Sequence, residues 1–166
     1  AGKVLDAMLL RIGWRRAEVY ITNLVKCRPE DNRAPLPDEV DACTRRWLTR
    51  QVLEVVQPDV LLAMGSSATR FFYGTTVTEA HGTWTRWHDV LVYALHHPAH
   101  FLWLKEEGKE AVERAKVQTR ADIDRLRSAL LAGAPGLPRR TSSEKGSGHT
   151  EPDQGDEAET SAVSTA

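Results

Sequence analysis

Four side chains in this sequence are of types that do chemistry and stand where a fold could use them: Asn23, Cys27, Cys43 and His97. His97 opens the tripeptide His97-Pro98-Ala99 directly after an apolar run, and the proline restricts the backbone beside it. A histidine held there could donate to a developing oxyanion or move a proton. It could equally be packed at the end of a strand. Asn23 offers one acceptor and two donors, enough to read an amide-like edge, and could instead cap a turn. Cys27 and Cys43 are separated by fifteen residues and supply half of a four-thiolate zinc or iron–sulfur site, with no Cys-x-x-Cys anywhere to supply the rest. Cys27 could otherwise be a small buried hydrophobe. His81, His88, His96, His97 and His100 could complete a zinc site, but no pair stands at i, i+4 on a convincing helical pattern. Ser66, Ser67 and a histidine lack a nucleophile elbow, which sets a hydrolase triad aside.

The elements that must position these groups follow from periodicity. Val19 to Val25 is rich in β-branched and apolar residues and reads as a strand that Arg28-Pro29 ends. Asn23 to Arg28 would then lie at its carboxyl end, where open α/β sheets bind ligands. Val4, Leu5, Met8, Leu9 and Ile12 form one helical stripe, with Gly13 as its stop. The prolines of residues 28–37 predict a loop, and Asp38 to Val56 a second helix. Val60 to Met64 reads as a strand running into Gly65-Ser66-Ser67 and then a short helix to Tyr73. That turn offers backbone N–H groups suited to a phosphate, although such turns also occur without a ligand. Residues 75–88 read as a polar connection holding Trp84 and Trp87. Val90 to Leu95 is a third strand, running into His96-His97-Pro98-Ala99-His100, and Gly108 to Ala132 a last charged helix.

Strands alternating with helices predict an α/β fold around a parallel sheet. Three strands are visible, which expects a further partner strand. At 166 residues, 41% hydrophobic and 27% charged, the chain reads as one soluble domain with a real core. No run of about 18 apolar residues exists to span a membrane. Two cysteines are too few for a disulfide scaffold and point to a cytoplasmic protein. The tail beyond Arg140 sets one lysine against six acidic residues, a balance of −5, which leaves +4 on residues 1–140 of the −1 total. A mildly basic body permits nucleic-acid binding. Residues 139–166 carry too little apolar surface to fold and are expected to be a disordered acidic tail beyond a domain at 1–138.

Several motifs in one order carry a family resemblance. They are Val19-Tyr-Ile-Thr-Asn-Leu-Val-Lys-Cys-Arg-Pro29, Asn32-Arg33 with Pro35, Ala42-Cys43, and Trp47-Leu48. Val60 to Ala68, Gly82 with Trp84, and His97-Pro98-Ala99 complete the set. The chain resembles the family 4 uracil-DNA glycosylases, the iron–sulfur branch of the uracil-DNA glycosylase superfamily, from its start to about Leu104. The resemblance implies a three-layer α/β/α sandwich on a sheet of about four strands when complete. It implies that Asn23 reads a flipped uracil and that His97 stabilises charge on the departing base. Pro98, Ala99, Ser66 and Ser67 would face the DNA strand, with Arg28 and Arg33 near its phosphates. Cys27 and Cys43 would be two of four ligands to a structural [4Fe–4S] cluster. The partner expected is uracil-containing DNA, with no membrane, and the protein a monomer.

The sequence departs from the family's pattern as well. Its upstream part, with a Cys-x-x-Cys pair and the Gly-Glu-Ala-Pro-Gly motif that positions water, is not among these residues. Trp103 and His81 stand where the family usually has arginine. The expectation is a C-terminal portion of a glycosylase with little activity alone. A non-catalytic DNA- or partner-binding relative is the main alternative. The branch that attaches covalently to uracil-DNA through a loop histidine is disfavoured, because residues 28–42 hold no histidine. A zinc module is more distant still.

Overall fold

β3 (Val90–Leu95) is the central strand, and its sequence says why: every residue from Leu91 to Leu95 is buried, as a strand covered on both faces requires. β1 (Val60–Met64) runs parallel to it, pairing Val60 with Leu91 through Met64 with Leu95. β2 (Trp84–Trp87) runs antiparallel on the other side, so the sheet order is β1-β3-β2. The computed structural model describes residues 2–133. The expected tail at 139–166 and the domain boundary at 138 lie outside them.

One face of the sheet is closed by two helices. α1 (Gly2–Ile12) turns Met8, Leu9 and Ile12 inward, and α6 (Lys109–Leu131) supplies Ile123 and Leu126. These meet Tyr93 and Leu95 in one cluster. Strand alternation sends Val92 and Ala94, both fully buried, to the opposite face. There α3 (Ser66–Tyr73) and the short α4 (Val77–Ala80) pack on the strands. The Tyr73 hydroxyl donates to the carbonyls of Thr83 and Val92, at 2.7 and 2.9 Å, and ties α3 to the sheet. Desolvation raises the Tyr73 phenol to about 12, so it stays a donor.

The α/β class is as expected, and the sheet has three strands, but not the expected three. Residues 19–25 form no strand. Val19 is extended at φ −123°, ψ 139°, yet no ladder pairs with the segment among the described residues. Tyr20 and Ile21 remain about half exposed. β-propensity expresses itself through pairing and packing, and here neither is supplied. β2 arises instead inside the expected polar connection. Trp84 stands opposite Tyr93, their ring centroids 4.7 Å apart, and such a cross-strand aromatic pair stabilises an edge strand. The sheet is consequently mixed rather than wholly parallel.

The second helix differs in kind. α2 (Pro37–Cys43) begins with proline at its first position, and the Glu39 carboxylate accepts from the Leu36 N–H at 2.8 Å. From Thr44 to Val56 the helix continues with wider π-type turns, Thr44–Leu48 and Arg50–Val56. The Gln57 N–H closes the last turn on the Val52 carbonyl at 2.8 Å, and Gln57 takes a left-handed conformation before Pro58.

Candidate active site

Two parallel strand ends build the site. The Gly65 N–H donates to the Leu95 carbonyl at 2.9 Å, bringing the end of β1 against the end of β3. Gly65 has φ +88°, and a Cβ there would lie 2.8 Å from the Cβ of His97. Glycine is therefore required on two counts, backbone conformation and space. This close approach sets His97 beside Ser66 and Ser67, which open α3.

His97 itself is fixed by a turn. Its Nδ1 accepts from the Ala99 N–H at 3.1 Å, and its carbonyl accepts from the His100 N–H at 2.8 Å. With Nδ1 occupied as an acceptor, a neutral ring carries its proton on Nε2. Burial holds the His97 pKa below the ordinary histidine value, which favours that neutral form. The Trp103 indole, two-thirds exposed on α5 (His100–Trp103), lies nearly parallel to the His97 ring, 14° between planes and 6.5 Å between centroids.

A cleft of about 1210 Å³ opens in front of these groups. Asn23, Cys27, Arg28, Ser66, Ser67, His97 and Pro98 all line it. The segment that fails to form a strand thus still delivers Asn23 to the same cleft as His97. Its amide is exposed. Lys26 braces the segment through the Thr22 hydroxyl and through the Asn23 carbonyl at 3.2 Å. Ala99, Arg33 and Cys43 stand outside the lining. Arg33 grips both Glu39 carboxylate oxygens, at 2.7 and 2.8 Å, and holds that carboxyl at about 2.

Cys43 nevertheless reaches the neighbourhood of Cys27. Its sulfur accepts from the Lys26 N–H at 3.5 Å, one residue away from Cys27. Both thiols are free. A backbone N–H on a sulfur is the kind of contact that steadies a thiolate bound to a metal or cluster. The two thiols are of the right chemistry for two positions of a four-thiolate site. Among the described residues no group of three or more His, Cys, Asp or Glu is arranged to hold a metal ion. No helix among the described residues is long and apolar enough to cross a membrane.

The sequence reading weighed His81, His96 and His100 only as zinc ligands and missed that they form a polar cluster with Asp122 beside His97. The i, i+4 spacing of His96 and His100 was a local signal for part of it. Asp122 lies 41 residues from His81, so nothing local announced that contact.

Residues 1–120 match the family model described as Uracil DNA glycosylase superfamily. The chain is 42% identical over 120 residues to a Type-4 uracil-DNA glycosylase of Archaeoglobus fulgidus, covering 64% of this chain and 59% of that protein. A Type-4 uracil-DNA glycosylase of Sulfurisphaera tokodaii is 32% identical over 142 residues, covering 75% and 64%. One of Thermotoga maritima is 36% identical over 125 residues, covering 70% and 64%. The chain therefore spans about three-fifths of the length of the curated relatives it matches.

Proposed function

The chain belongs to the uracil DNA glycosylase superfamily, and from this premise we propose that the complete protein excises uracil from DNA by hydrolysing its N-glycosidic bond. The observation that carries the reading is that Asn23 and His97 line one cleft, with His97 held as a neutral donor. A flipped uracil presents an N–H beside a carbonyl, and the amide of Asn23 complements both. As the bond to C1′ breaks, the base departs with the bonding electron pair. Negative charge then develops on the uracil ring, and the Nε2–H of His97 stabilises it. Water adds its oxygen to C1′ as a hydroxyl and releases one proton, which neutralises the departing uracil anion, leaving free uracil and an abasic site.

Ser66, Ser67 and Pro98 line the same cleft and would face the DNA strand, with Ala99 next to them outside the lining, and Arg28, also in the lining, would meet phosphate. Arg33 contributes less directly, since its guanidinium is committed to Glu39. Cys27 and Cys43, the two cysteines of this sequence, would supply two of the four thiolates of a [4Fe–4S] cluster. Held there, those two thiolates would brace the segment carrying Asn23 and Arg28, a structural role apart from bond breaking. The substrate is uracil-containing DNA, the protein works as a monomer, and its place is the cytoplasm.

The test is uracil release from a uracil-containing oligonucleotide by the full-length protein, with His97→Ala and Asn23→Ala alongside. Each substitution should lower the rate by about 10²-fold or more. Full activity in either variant removes that residue from its role. DNA binding without release, by the full-length protein, would favour a non-catalytic relative.

A further inference from the structure

Along the cleft wall runs a column of three imidazoles that this chemistry does not use; His96 and His100 line the cleft beside His97, and His81 stands outside the lining. His96, the buried residue after β3, is its middle member. Its ring lies against His100, with centroids 4.5 Å apart and planes 11° from parallel, and against His81 at 4.8 Å and 34°. His81 is anchored in turn. Its Nδ1–H donates to Asp122 Oδ2 at 2.8 Å, and its Nε2 meets the Gln118 amide nitrogen at 2.9 Å. The Asp122 side chain is almost wholly buried and is also gripped by Arg125, which compensates its charge.

Stacked faces offer no N–H···N path, so the column is no proton wire. What it does follows from sequence position. His96 and His100 immediately flank His97-Pro98-Ala99, so their stacked rings pin both ends of the turn that carries His97. Both of His97's turn hydrogen bonds, from Ala99 and His100, fall within that interval.

We propose that the His96–His100 stack, anchored through His81 on Asp122, is a clamp that orients His97, making His96 and His100 positioning residues. Burial first, and then His100 and His81 beside it, push the His96 pKa down to about 4. The middle ring is therefore neutral at neutral pH, and the facing groups, His81 and His100, meet no imidazolium there. The kinetic consequence rests on the glycosylase reading; the orientation of His97 does not.

The experiment compares the full-length protein with His100→Ala and His100→Phe, by kinetics of uracil release and by ¹⁵N NMR of the imidazoles. His100→Ala should lower kcat about tenfold while KM moves less than about twofold. The His97 Nδ1 signal should also lose its acceptor-tautomer character. His100→Phe keeps a flat ring and should restore most of both. Unchanged kcat and unchanged His97 signals in His100→Ala overturn the clamp. A phenylalanine variant with disturbed His97 signals overturns it too, even if the alanine variant does not fold. If the wild type releases no uracil, the glycosylase reading fails, and the NMR comparison alone decides the clamp.

Discussion

His96 is a base that the folded protein keeps neutral, and this has a consequence for stability. Its folded pKa of about 4 lies below the ordinary value of 6.5, with burial the largest cause. Between those two values the unfolded chain binds a proton that the folded chain does not. Stability from this group is therefore complete above about pH 6.5 and is lost as pH falls toward 4. Denaturant unfolding at pH 7.5 and 4.5 should show a loss on the order of 1–3 kcal/mol attributable to this residue. His96→Phe should flatten the dependence; an equally steep loss in that variant would assign it to other groups. His97 moves in the same direction, chiefly through burial, and a proton on Nδ1 would also displace the Ala99 N–H. Acid then removes both its turn bond and its neutral form.

At the scale of elements, the joint between β1 and β3 makes a strict demand on the backbone. Gly65 combines a left-handed conformation with contact against His97. Gly65→Ala should cost about 1–3 kcal/mol of stability and push His97 outward, with uracil release falling by about tenfold or more. Thermal unfolding and the release assay would check both, and a stable, active alanine variant would show that the joint tolerates a side chain. Tyr73→Phe is the contrasting case. It removes two hydrogen bonds from α3 to the sheet but touches nothing in the cleft. Unfolding should become easier by about 1–2 kcal/mol, with the remaining folded protein as active as wild type.

For the whole molecule, the test of the cysteine pair is iron. Full-length protein prepared without oxygen should contain iron and sulfide. Cys27→Ser and Cys43→Ser should each lower that content and the melting temperature together. Iron content unaffected by both substitutions would remove the cluster from this part of the chain. The same molecular scale explains what could be read early. Helices α1, α3 and α6 and strands β1 and β3 were legible because apolar spacing and glycine or proline stops are local signals. His97, Asn23 and the cysteines were legible as residue types in a motif order, and the tertiary structure brings Asn23 and His97 to one cleft. The strand expected at 19–25 was misread because the same extended residues become a strand only with a backbone partner. β2 was overlooked because its pairing with β3, including Trp84 opposite Tyr93, is a cross-strand event. By itself, then, the sequence determined the α/β class and the family, and it named the side chains proposed to carry the chemistry. Only the tertiary structure decided which segments pair, how Gly65 seats His97, and that Asp122, His81, His96 and His100 stand together beside it. Those are contacts between residues distant along the chain, and no local pattern encodes them.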